Sequence, residues 1–218
     1  MVNGRMAQSK PDHGEWVGSG QQPETKRRIL EAAAEVFSEK GYYATAVDDI
    51  VRASDTSKGS FYHFFPNKQG IFLSLVDHIY SVLLRRVEGA IERERGALNK
   101  VDAALRTVLG EFARHRRLAR LLLIEAHGLG HAFNDKLFQL HAGFAGLIKD
   151  YLDRAVADGD IAPLDTELAA YAWLGAINEV VTRWIYTGQP DPLDRALPEL
   201  RVMLLRSIGA NPQGGKTQ

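Results

Sequence analysis

The stretch from Thr45 to Lys68, TAVDDIVRASDTSKGSFYHFFPNK, leaves the chain few ways to fold. Val47, Ile50 and Val51 give its first part an apolar face at helical spacing, and Ser54-Asp55-Thr56 break the pattern with polar groups. Ser57 to Phe64 then makes a second short helix, too short to bury a core alone. At about 100° per residue, Ser57, Phe61 and Phe64 fall on one side, so the phenylalanines face the core. Thr56, Gly59, Ser60, Tyr62 and His63 point the other way. This pattern describes a helix-turn-helix whose second helix is offered to a DNA major groove. Gly59 is the odd choice there, because glycine in a helix costs about 1 kcal/mol against alanine. Close approach of the backbone to another molecule offsets that cost.

Pro66 ends the second helix and Asn67 is a good N-cap for the next. Lys68 in a first turn opposes the helix dipole, which makes sense if that N-terminus faces a phosphate. Formal net charge is zero over 218 residues, unlike many basic DNA binders, yet Ser57 to Lys68 holds Lys58, His63 and Lys68 and no acid. A small basic footprint on a neutral body predicts specific contacts with modest non-specific affinity.

The chain has no cysteine, which rules out disulfides and thiolate metal sites and fits a reducing cytoplasm. Its N-terminal segment, MVNGRMAQSKPDHGEW, has no apolar core of a secretory signal. No apolar run approaches the roughly 18 residues of a membrane-spanning helix. Residues 1–22 and 211–218 lack periodicity and read as a disordered arm and tail. From about Pro23, Ile29, Leu30, Ala33, Val36 and Phe37 recur at helical spacing, and Gly41 is expected to stop that helix as an αL cap. Thr45-x-x-Asp48 reads as an acidic capping box for the next. A long helix over 67–94 carries Ile71, Phe72, Leu75, Val76, Ile79, Val82, Leu83, Val87 and Ile91.

The motif Thr56-Ser-Lys-Gly-Ser-Phe-Tyr-His-Phe-Phe-Pro-Asn-Lys68, with Gly41-Tyr42 and Thr45 upstream, resembles the tetracycline-repressor (TetR) family of bacterial regulators. The resemblance covers about residues 25–75 and departs at Asp55, where the family usually has glycine in a left-handed turn. It implies a homodimer on a palindromic operator, usually a repressor, released when a small molecule binds the C-terminal domain. Thr45, Tyr62 and Lys68 are expected to hold phosphates and set register. Ser57, Lys58, Ser60 and His63 are expected at base edges or nearby phosphates, with Thr56 and Gly59 allowing close approach.

The remainder reads as helices over about 99–115, 117–127, 131–158, 165–186 and 191–209, with a break at Gly128-Leu-Gly130. The 165–186 helix is apolar nearly all round, so it is buried on more than one side. Leu193, Leu197, Leu200, Leu204 and Ile208 form a stripe on the last helix, which Pro198 is expected to kink or split. Two such helices per subunit suit a four-helix dimer interface; the competing reading is that they close the monomer core.

Phe112, Phe138, Phe144, Trp173 and Trp184, with Asn178 in an otherwise apolar helix, suggest an effector pocket, and His127 is a polar group for its lining. The partners of Asn178 are either protein groups or a ligand. Gly175 to Trp184 is similar to the corresponding helix of fatty-acyl-CoA-responsive members, which makes a fatty acyl-CoA or another lipophilic molecule the expected effector. Arg114, Arg116, Arg117 and Arg120 either meet phosphates of such a ligand or form a solvated face. Glu179 and Arg183 are an i,i+4 pair.

His127, His131 and His141 with Glu125 and Asp135 have metal-ligand composition, but Gly128 and Gly130 interrupt the helical face that would pair them, so no metal is expected. No cofactor is expected either. No P-loop, GxSxG, HExxH or strand-borne GxGxxG is present, and nothing sets a nucleophile beside a base, so no enzyme is expected. The expected fold is all-α with about nine helices: a helix-turn-helix domain over 23–69 and an effector-binding and dimerisation domain over 70–210. The expected function is repression with effector release. An activator, or a helical ligand-binding protein without effector-controlled release, is the alternative.

Overall fold

The computed structural model describes residues 23–125 and 130–210, apart from the side chain of Leu98. The arm over 1–22, the tail over 211–218 and His127 lie outside the described residues. Helix α1 (Glu24–Ala44) buries Ile29, Leu30, Ala33, Val36 and Phe37. Gly41 does not end it as an αL cap. Its φ of 78° and ψ of 167° kink the helix, and one more turn carries Tyr42 inward before Thr45 stops it. The expected capping box of α2 (Val47–Ala53) is shifted by one residue. Ala46 is the N-cap, and the Asp49 carboxylate accepts from its N–H at 3.0 Å. That hydrogen bond first, and Lys40 at 3.0 Å second, hold the Asp49 carboxyl below its usual pKa.

The turn between α2 and α3 (Lys58–Phe64) places Asp55 at φ 49°, left-handed as the family glycine would be. Asp tolerates that region better than most residues. Arg28 of α1 clamps the turn, donating to the carbonyls of Ser54 (2.8 Å) and Asp55 (2.9 Å). Ser57 caps α3 by accepting from Ser60 N–H at 3.0 Å, so the helix begins one residue later than its apolar pattern suggests. Asn67 caps α4 (Lys68–Glu92) by accepting from Gly70 N–H at 2.8 Å. Gly70 is required, because a Cβ there would lie 2.9 Å from Pro66 Cδ.

Helix α4 buries all nine residues of its apolar stripe. Its first half packs with Ile29, Phe37, Ile50, Phe61 and Phe65 into the core of the small head. Its second half lies against α5 (Ala97–Arg114). Short α6 (Arg116–Arg120) runs into a single π-helical turn, Leu121–Glu125. The long α7 (His131–Ala157) and α8 (Thr166–Thr187) pack together. Pro198 splits the last helix as expected: a 3-10 turn, Leu193–Ala196, precedes α9 (Leu197–Ser207), with the proline in its first turn, where a missing N–H costs nothing. A second core joins Leu109, Trp173, Val181, Leu200 and Leu204.

Charged ties hold the body helices around that core. Arg86 reaches buried Glu111 (2.6 Å, α4 to α5), Arg201 reaches Asp102 (2.8 Å, α9 to α5) and Lys136 reaches Asp77 (2.8 Å, α7 to α4). Aromatic rings join head to body, with Tyr42 packed on Phe37, Phe72 and Phe133 at centroid distances of 5.0–5.8 Å. No strand occurs among the described residues, and none of their helices is long and apolar enough to cross a membrane.

Candidate functional site

The outward face of α3 is small, polar and open. Phe61 and Phe65 are buried beneath it, while Lys58, Gly59, Tyr62 and His63 are exposed. A Cβ on Gly59 would meet only Ser57 Oγ, at 3.6 Å, so nothing inside the protein demands glycine there. Tyr62 is 53% exposed with its ring edge-on to Phe61. Lys58 pairs with Asp48 of α2 at 2.9 Å, which raises its pKa by hydrogen bonding and charge. Both partners of that ion pair are more than half exposed, so it is worth little and exchanges readily for another anion. Thr56 turns back into the turn, its hydroxyl 2.8 Å from Ser54 Oγ, and Ser60 hydrogen-bonds Ser57.

Two expected phosphate ligands are placed differently. Thr45 is 2% exposed, and its hydroxyl donates to the Gly41 carbonyl at 2.7 Å, finishing α1 instead of facing outward. Lys68 donates to the carbonyls of Tyr42 (2.9 Å), Tyr43 (3.4 Å) and Thr45 (2.8 Å), and lies over the Tyr42 ring at 4.5 Å. An ammonium has three protons, and all three are taken. The unfavourable charge at the start of α4 is therefore offset by the carbonyl end of α1 within the protein itself. The acid-free surface read from Ser57–Lys68 is also corrected, since the fold brings Asp48 beside it.

The body encloses a cavity of about 820 Å³ between α4, α5, α7, α8 and α9. Phe112, Trp173 and Asn178 line it, as expected. Phe138 does not: it is 68% exposed, because Leu137 and Leu140 take the inward positions of α7. His127 lies outside the described residues. Trp173 is fixed by donating from Nε1 to Ser207 Oγ at 3.0 Å. Tyr80, also in the wall, stacks edge-on to Phe144 (4.8 Å), and its hydroxyl fills the space where a Cβ on Gly143 would be. Burial raises the pKa of that hydroxyl. Gly143→Ala is expected to destabilise the fold by about 1–3 kcal/mol through overpacking, and to cost far less in a Tyr80→Ala background. A denaturation double-mutant cycle checks this, and additive losses would dissociate the two residues.

The chain matches two family models. Residues 29–75 match that of bacterial regulatory proteins of the tetR family, and residues 94–192 match a tetracyclin repressor-like C-terminal domain. The chain belongs to the tetR family. It is a DNA-binding transcriptional regulator with a helix-turn-helix head. It is 26% identical over 163 residues to the fatty acid metabolism regulator protein of Bacillus subtilis, covering 74% of this chain and 84% of that one. A solved structure of the regulator FadR from Bacillus subtilis in complex with stearoyl-CoA superposes with a TM-score of 0.76 at 25% identity, covering 83% of this chain and 98% of that one. The fatty acid degradation regulator FadR of Bacillus halodurans shares the fold, with a TM-score of 0.75 at 23% identity over 82% of this chain and 96% of that one.

Within this tetR-family body the remaining candidates separate. His131 is exposed at the start of α7 and His141 lines the cavity, about 15 Å further along the helix, so they do not converge on one ion. Arg114 pairs with Glu111 and Arg120 with Glu125. Arg116 donates to the carbonyls of Trp184 and Ile185 and lies over the Trp184 ring. None of these four arginines (Arg117 included) lines the cavity. Glu179 and Arg183 are exposed and make no ion pair with each other. Sequence reasoning missed Tyr80, Tyr151, Arg95, Lys100 and Arg154 in the cavity wall and exposed Arg52 on the head. Arg52 carried a signal, as a basic residue in the last turn of α2.

Proposed function

We propose that the protein is a bacterial repressor acting in the cytoplasm as a homodimer, and that a small lipophilic effector in the 820 Å³ cavity releases it from a palindromic operator. The observation that carries this reading is that α4 is at once a wall of the cavity and part of the core beneath the recognition helix. A ligand that spreads the body therefore tilts the head. The π-helical turn supports a second route: its Leu122 and Leu123 line the cavity, and its Glu125 carboxylate lies 3.2 Å from where a Cβ on Gly41 would be. The similar regulator that holds stearoyl-CoA makes a fatty acyl-CoA the first effector to test. No catalytic role is assigned.

At the operator, Ser57, Lys58, Ser60 and His63 face base edges or nearby phosphates, and Tyr62 and Arg52 hold the backbone. Gly59 permits close approach. The dimer forms through α8 and α9. Leu168, Tyr171 and Tyr186 on α8 and Met203 on α9 are large exposed apolar side chains, and a Cβ on exposed Gly175 would meet nothing within 4 Å. Glu179 and Arg183 on the same α8 face are available to pair across the two-fold axis. Two α3 helices then sit about 34–36 Å apart, one turn of B-DNA.

Native mass spectrometry of the protein as purified is expected to give a dimer, with up to one co-purified lipophilic molecule per subunit. A monomer that still binds operator tightly would contradict the two-fold arrangement.

A further inference from the structure

The cavity has a polarity. Near the head its wall is Val76, Ile79, Leu137 and Leu140; at the opposite end, where α4 gives way to α5, Arg95, Lys100 and Arg154 join the lining. The stretch of α4 from Val76 to Ile91 that lines it is about 22 Å long at the helical rise. Among the described residues none of the three cations makes an ion pair, although Asp158 and Asp160 line the same end. Arg86, Arg106, Arg114, Arg120 and Arg201 of the body are all paired. Lys100 and Arg154 instead both lie over the Tyr151 ring, at 5.5 and 5.2 Å from its centre. The start of α5 lines that end too: Gly96 is its N-cap, no side chain caps it, and no acid stands in its first turn. Three cations without an ion-pair partner among the described residues and the positive end of a helix converge on the mouth of an apolar space.

We propose that the effector is an anionic amphiphile bound tail towards the head domain, its chain along α4 and its anionic group held by Arg95, Lys100 and Arg154. This rests on reading the cavity as the effector site. Asp158 and Asp160 temper the positive field of this end without pairing with any of the three cations, and an incoming carboxylate or phosphate can make charge-assisted hydrogen bonds to those cations. Tyr151 keeps two of the cations in place by its ring face. The shared chemistry is an anionic group on a long apolar chain, supplied by a free fatty acid or by the phosphates of an acyl-CoA.

The test is calorimetric binding of stearate, stearoyl-CoA and stearyl alcohol to the full-length protein and to an Arg95→Ala/Lys100→Ala/Arg154→Ala variant. The variant is expected to lose affinity for the anionic ligands by about 100-fold or more, and to keep wild-type affinity for the neutral alcohol and for operator DNA. A larger loss for stearoyl-CoA than for stearate identifies phosphates as the anion held; an equal loss identifies a single carboxylate-sized contact. Wild-type affinity of the variant for both anions would overturn the head-group assignment and leave the cavity reading standing. An equal loss for the alcohol would also overturn it, because the cations would then be holding the cavity open. Failure of the wild type to bind any of the three would sink the effector reading itself.

Discussion

Replacing Gly59 by leucine is expected to abolish measurable operator binding while making the protein slightly more stable. The two effects have opposite signs because they act on opposite sides of α3. Towards the protein there is room, since the nearest atom to an added Cβ is Ser57 Oγ at 3.6 Å. Leucine also recovers most of the roughly 1 kcal/mol that glycine costs a helix. Towards DNA the same side chain stands on the exposed face between Lys58 and Tyr62, where the backbone must come close to the base pairs. Thermal melting and operator anisotropy on one preparation check both halves. If Gly59→Leu destabilised the fold and left operator affinity intact, α3 would be a packing helix with its inner face misassigned.

The second large effect is at Lys68, and it runs against what its position suggests. Lys68→Met keeps the aliphatic stem and removes the ammonium. Three carbonyls at the end of α1 then lose their shared donor, and Tyr42 loses its cation. The expected loss is about 2–3 kcal/mol of stability, since hydrogen bonds to a charged group are among the stronger ones and truncation leaves acceptors without a partner. Operator affinity should fall only as far as the head loosens, with the salt dependence of binding unchanged. A lysine that served a phosphate would give the reverse pattern: unchanged melting and a salt slope lower by about one.

Lys68 also marks where sequence reading stops. The cap at Asn67, the stop at Pro66 and the inward side of Phe61 follow from a local pattern visible in the chain, whereas Ser57 reads as the first helical residue and proves to be the cap. The carbonyls that Lys68 serves are 23–26 residues away, brought near only when α1 packs on α4. The phase of α7 was legible, since Phe133, Leu137, Leu140, Phe144 and Leu147 recur at helical spacing and Phe138 falls off that stripe, so placing it in the pocket goes by apolarity against the pattern. Phe138 is larger than Leu137 and Leu140, yet it is the one left outside, because the packing of the whole helix and not one residue's apolarity sets which face turns in. Arg95, Lys100 and Arg154 come from two distant segments and form no spacing pattern. Asp55, by contrast, was legible: its turn needs a left-handed residue, and it adopts φ 49° with Arg28 closing the turn behind it.

The central claim is that a ligand in the body changes the grip of the head. Moving an operator-bound population from almost fully bound to almost fully free needs a ligand preference of about 5.5 kcal/mol between the two states. The direct measurement is fluorescence anisotropy of the protein on DNA flanking its own gene, titrated with stearoyl-CoA while occupancy of the cavity is followed in parallel. The account predicts that operator is released in step with occupancy. Full occupancy with unchanged operator affinity would contradict it.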